Sequence, residues 1–187
     1  MTEFAYLSVL LSIILGLAVT QILQGWRARM IYRSRVRGYW PTEVWSVLIL
    51  LICTQMWWAM FGLRDQHDWT YGEFVALLGQ TVFIYLSSAL IYPDFWAHET
   101  VDLRTHYFSQ APYLFGSFCL VLLCSLVRNL WLNHSPPGAA DLGFHLFFLT
   151  SSATGIFSAN DRFHKAMAIL VTAMFVVYVT TLFARLH

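Results

Sequence analysis

The stretch Arg27-Ala28-Arg29-Met30-Ile31-Tyr32-Arg33-Ser34-Arg35-Val36-Arg37 carries five of the eleven basic residues of this chain. On each side of it lies an apolar run of the roughly 20 residues needed to cross a bilayer. Short arginine-rich connections stay on the cytoplasmic side of a membrane. The first loop is therefore expected to face the cytoplasm. The chain reads as an all-α bundle of transmembrane helices.

Composition supports that class. Hydrophobic residues make up 58% of the 187 residues and charged residues 11%. A soluble domain carries about a quarter charged residues, so most of this surface must face lipid. The length suits a single integral membrane domain, 1–187, with the lipid bilayer as its first partner. A net charge of +1 gives no argument for nucleic acid. Cys53, Cys119 and Cys124 all lie in apolar runs, which suits small packing residues and not a disulfide framework. Glu3 and a long first apolar run predict a retained span and not a cleaved leader.

Six spans are predicted, at about 4–23, 42–63, 72–92, 111–132, 142–158 and 166–184. The fifth is short and rich in Ser, Thr and Gly, so it reads either as a full crossing or as a re-entrant segment. With six spans and the arginine loop inside, both termini lie outside. Eight basic residues then fall inside against three outside, Arg64, Arg128 and Arg185. The tryptophans follow the same map, Trp26, Trp40, Trp45 and Trp96 toward the inner boundary and Trp57, Trp58, Trp69 and Trp131 toward the outer. That is a double belt at headgroup depth.

Phe4-Ala5-Tyr6-Leu7-Ser8-Val9-Leu10, then Ser12-Ile13-Ile14-Leu15-Gly16-Leu17-Ala18, is one recognisable block. Trp57-Trp58-Ala59-Met60-Phe61, with Arg64-Asp65 and Trp69-Thr70, is another. Together they resemble a group of small uncharacterised bacterial polytopic membrane proteins. The resemblance implies a bacterial inner-membrane location. It implies no activity and transfers no catalytic residue.

After Pro93, the residues Asp94, His98, Asp102 and His106 recur at spacing four. On a helix they fall along one side. Imidazole and carboxylate at that spacing can share a divalent metal ion, and His164, next to Asp161 in another inner loop, could complete the set. The same residues also suit the solvated face of a short interfacial amphipathic helix. His145 lies within a span, either as a hydrogen-bonded structural histidine or as half of a bis-histidine haem site. Arg128 is the charge set well inside a span. It either holds an anionic ligand or lipid headgroup, or snorkels to the outer interface. Gln55 and Gln80, near mid-membrane, either bond between helices or line a polar path.

Span one carries Ser8, Ser12, Gly16 and Thr20 at strict spacing four, a pattern that predicts close helix packing. Ser151, Ser152, Thr154, Gly155 and Ser158 of span five read similarly. Walker, HExxH, nucleophile-elbow and Rossmann patterns are missing from the sequence. The expectation is a channel- or transporter-like protein or a small subunit of a membrane assembly, as a homo-oligomer or within a larger complex. The alternative is a metal-dependent membrane enzyme with a cytoplasmic-face His/Asp site.

Overall fold

The computed structural model describes residues 3–64, 68–94, 100–133 and 138–182. Six α-helices make up nearly all of it: α1 (Glu3–Ile31), α2 (Trp40–Met60), α3 (Tyr71–Leu90), α4 (Leu103–Asn133), α5 (Ala139–Phe157) and α6 (Asp161–Leu182). Five of them, all but α5, are long and apolar enough to cross a membrane.

The helix starts have local causes. Pro41 sits in the first turn of α2, where a missing amide hydrogen costs nothing. The Thr70 hydroxyl accepts from the Glu73 amide, and the Thr70 amide donates to the Glu73 carboxylate at 2.8 Å, a reciprocal cap on α3. Asp102 Oδ1 accepts from the amides of Arg104 and Thr105 and so caps α4. Asn160 Oδ1 does the same for the amides of Arg162 and Phe163 at the start of α6.

Two expectations change here. Span one is the first part of a longer helix, since α1 runs on through Arg27 and Arg29 to Ile31. Among the described residues, the stretch after Pro93 does not run as one helix from Asp94 to His106. Asp94 is in coil, and Asp102 lies in β2 (Val101–Asp102), a two-residue strand paired in parallel with β1 (Val36–Arg37). Residues 103–110, His106 among them, are the first turns of the continuous α4. The pairing uses the backbone at Val101 and Asp102, and Asp102 is committed as a cap. A single helical stripe through all four residues therefore cannot form. His98 lies outside the described residues.

Helix contacts close a cycle, α1 to α3, α3 to α4, α4 to α5, α5 to α6, α6 to α2, and α2 back to α1. α2 also leans inward to touch α3 and α4. The connections α1–α2, α3–α4 and α5–α6 meet at one end, termed the basic end because it carries the arginine stretch. The β1–β2 pairing joins the first two connections, and a Tyr39–Asp161 hydrogen bond reaches the third. Many large apolar side chains point outward, including Val9, Ile13, Leu17, Leu51 and Leu86. Such an exterior suits hydrocarbon and not water.

The packing face of α1 is not the small-residue stripe. Ser12, Gly16 and Thr20 are exposed and Ser8 is half-buried, while Leu11, Leu15, Ala18 and Ile22 are buried. A Cβ placed on Gly16 would meet nothing within 4 Å. Close approaches occur elsewhere. Gly25 lies against the ring of Tyr92, and a Cβ on Gly155 would sit 2.9 Å from the ring of Phe115. Trp45 also departs from the belt expectation. It is buried, with its ring edge-on to Phe115 and tilted against Phe118.

Candidate functional site

Inside the cycle of helices is a cavity of about 110 Å³. α2 supplies Trp45, Ile52 and Gln55, α3 supplies Gln80 and Ile84, and α4 supplies Phe118 and Ser125. α5 closes it with His145, Phe148 and Ser152, and α6 with Phe175 and Tyr178. Most of the lining is apolar, with a few convergent polar groups, the usual make-up of a small-molecule site.

The polar groups are not spread evenly. α2, α4 and α6 run away from the basic end, and α3 and α5 run back toward it. Gln55 is late in α2, Gln80 is midway in α3, Ser125 is late in α4, and His145 is early in α5. Gln55, Ser125 and His145 belong to the half of the cavity remote from the basic end, Gln80 to its middle, and Ser152, late in α5, to the other half. Trp45, early in α2, belongs to the half near it.

Arg128 lies one turn beyond Ser125 on the same face of α4. Its Nη1 donates to Gln80 Oε1 at 3.2 Å, so its head turns toward a residue of the cavity wall. Its Nε is shielded and has no hydrogen-bond partner. Among the described residues no carboxylate forms an ion pair with it. A guanidinium carries five donors, and this one spends few of them on the protein.

His145 is held on both sides. Its Nδ1 meets the backbone carbonyl of Asp141 at 2.9 Å and the Asp141 carboxylate at 3.2 Å. A carbonyl oxygen only accepts, so Nδ1 carries the proton. Nε2 is then free to accept from the Ser125 hydroxyl, 3.2 Å away. This is a hydrogen-bonded structural histidine with both ring nitrogens engaged.

At the basic end a second network ties the loops together. Asp161 accepts from the Tyr39 hydroxyl at 3.0 Å and from Arg104 Nε at 3.2 Å, and pairs with Lys165 at 2.6 Å. Burial, together with the Asp161 carboxylate, pushes the Tyr39 phenol well above its ordinary pKa, so it stays a donor. Deeper in, His164 is fully buried. Its Nε2 donates to the Ser158 carbonyl at 2.7 Å, and its Nδ1 faces the Tyr107 hydroxyl at 2.9 Å. Tyr107, Phe108, Phe115 and Phe163 surround the ring. A third knot joins α1, α2 and the end of α3. The Tyr92 hydroxyl donates to Glu43 at 2.6 Å, Trp26 Nε1 donates to Ser46, and Arg29 pairs with Glu43 at 3.5 Å.

Asp94, Asp102, His106 and His164, the described residues expected to bind metal, are thereby dispersed. Asp94 is exposed beside a polar hollow that also includes Arg27 and Ser88. Asp102 caps α4, His106 Nε2 donates to the Leu90 carbonyl at 3.1 Å at the end of α3, and His164 has both nitrogens used. Among the described residues no three His, Cys, Asp or Glu side chains converge on one point. Gln55, Gln80 and His145, by contrast, line one cavity, and Arg128 stands behind its wall, bonded to Gln80. Ser125, Tyr178 and the aromatic wall did not stand out in the sequence. The spacing of Ser125 to Arg128, three residues on one helix, was the available signal. No protein-family model, no curated protein and no solved structure matches this chain.

Proposed function

We propose that this chain is a six-span bacterial inner-membrane protein that acts through the cavity in its bundle, as a transporter-like or binding protein for a small molecule. The observation that carries this reading is the cavity itself. Five helices wall it, with Gln55, Ser125 and His145 toward the end remote from the basic one.

The reading takes α5 as a full crossing. Its 19 residues span about 28 Å at 1.5 Å per residue, close to the roughly 30 Å hydrocarbon core. It also follows α4 along its length. His145 meets Ser125, Gly155 lies against Phe115, and Ser158 shares His164 with Tyr107. Its low hydropathy then reflects shelter by neighbours. The basic end faces the cytoplasm and the polar end of the cavity faces outward, as the arginine asymmetry requires.

Thiol accessibility tests this. Ser152 lines the cavity and Thr150 is exposed on the outer surface of the same helix. In a cysteine-free background, Ser152→Cys should react with a small charged thiosulfonate, because water in the cavity lets the thiol ionise. Thr150→Cys, facing lipid, should not. A Ser152→Cys protein inert from both sides of the membrane would refute a ligand-accessible cavity.

A further inference from the structure

We infer that the cavity takes a compact organic monocarboxylate, with its anionic head at Arg128 and its apolar body among the aromatic side chains below. This rests on the cavity reading above and specifies what the cavity binds. Three observations carry it.

The first is charge. A cation in a membrane bundle is costly unless it has a partner. Among the described residues, Arg128 has a shielded, unpartnered Nε and a single hydrogen bond, to the neutral Gln80. Asp141 acts on Arg128 only through space and is in direct contact with His145, and Glu73 caps α3 through the Thr70 amide. Among the described residues no carboxylate touches the guanidinium, and an anionic ligand would supply that direct contact. The guanidinium fork suits a carboxylate, which can take two parallel donors.

The second is direction. Snorkelling would carry the guanidinium out toward headgroups. Here Nη1 is turned to Gln80, which is itself nearly buried and forms part of the cavity wall. The cation is thus held against a residue of the chamber's wall.

The third is size. The cavity, at about 110 Å³, is of the same order as the roughly 150 Å³ chamber that accepts a benzene ring. One ring or a short branched chain fits, and a long acyl chain does not. Phe118, Phe148, Phe175 and Tyr178 offer faces and edges to such a body. Gln55 adds an amide donor to the cavity wall.

The test uses the full chain in nanodiscs carrying Ser152→Cys as reporter, with benzoate as probe. Benzoate should slow thiosulfonate labelling. Benzyl alcohol, the neutral analogue, and inorganic phosphate, which lacks the apolar body, should each need about tenfold more, the size of one charge-assisted hydrogen bond. Arg128→Gln should raise the benzoate requirement about tenfold and leave that for benzyl alcohol unchanged. Should Arg128→Gln fail to fold, Arg128→Lys keeps the charge but loses the fork, and should weaken benzoate selectively. Labelling that benzoate does not slow would overturn the inference while the cavity stands. Equal protection by benzoate and benzyl alcohol would overturn the anion site, and equal protection by phosphate would overturn the apolar body. Absence of labelling would remove the cavity itself, and the inference with it.

Discussion

Gly155→Ala isolates the contact between α5 and α4. The added Cβ would lie 2.9 Å from two carbons of the Phe115 ring and 3.2 Å from a third. The favourable carbon–carbon separation is about 3.5–4.0 Å, so the helices must part or the ring must swing. Phe115 is fully buried, with Trp45, Tyr107, Phe118 and His164 around it. It has nowhere to go. Overpacking of this kind costs about 1–3 kcal/mol, and the immobile ring argues for the upper half of that range. Replacing a helical glycine with alanine returns about 0.5–1 kcal/mol of backbone entropy. The net loss should be about 1–2 kcal/mol, a fall in Tm of about 2–8 °C for a chain of this size. Gly16→Ala has the same entropic gain and no clash, since nothing lies within 4 Å of its Cβ. It should melt at or slightly above the unmutated protein. Tryptophan fluorescence during heating in one detergent would report both. Phe115→Leu should recover part of the loss in Gly155→Ala, because the two sites share the contact. If Gly155→Ala melts no lower than Gly16→Ala, α5 does not pack against Phe115, and the argument that α5 is a full span sheltered by α4 falls.

Two further expectations can be checked directly. Single cysteines at Ser34 and Gly138, in a cysteine-free background, should differ toward an impermeant thiol reagent on intact cells; only Gly138→Cys should label, and the opposite pattern would reverse the topology. His164→Ala should cost about 3–5 kcal/mol, since it opens a cavity at a fully buried ring and orphans the Ser158 carbonyl and the Tyr107 hydroxyl; a Tm within a degree or two of the unmutated protein would show that the Tyr107–His164–Ser158 chain does not hold the basic end together.

Some of the site was legible one residue at a time. Arg128, Gln55, Gln80 and His145 each stood out as polar groups in apolar runs, which lipid makes expensive. Nothing in their spacing showed that Gln55, Gln80 and His145 line one chamber or that Arg128 bonds to its wall. The bond from Arg128 to Gln80 joins residues 48 apart, and that from Tyr39 to Asp161 joins residues 122 apart. The His/Asp stripe after Pro93 misled for the converse reason. Regular spacing implies a shared face only if one helix runs through it, and the β1–β2 pairing takes Asp102 out of any such helix.

What the sequence determined by itself is what depends on local chemistry. Low charge and long apolar runs make a helical bundle with five helices able to cross a membrane. The tertiary structure alone decided which face of each helix is inside. In water an amphipathic stripe reveals the buried face. In lipid the outer surface is as apolar as the core, so both faces of α1 look alike in sequence. The small stripe at Ser12, Gly16 and Thr20 therefore pointed to packing and proved exposed, while Leu11, Leu15, Ala18 and Ile22 make the contact. The cavity follows from the same cause. It exists only where five helices fail to fill the space between them, and no single segment encodes that gap.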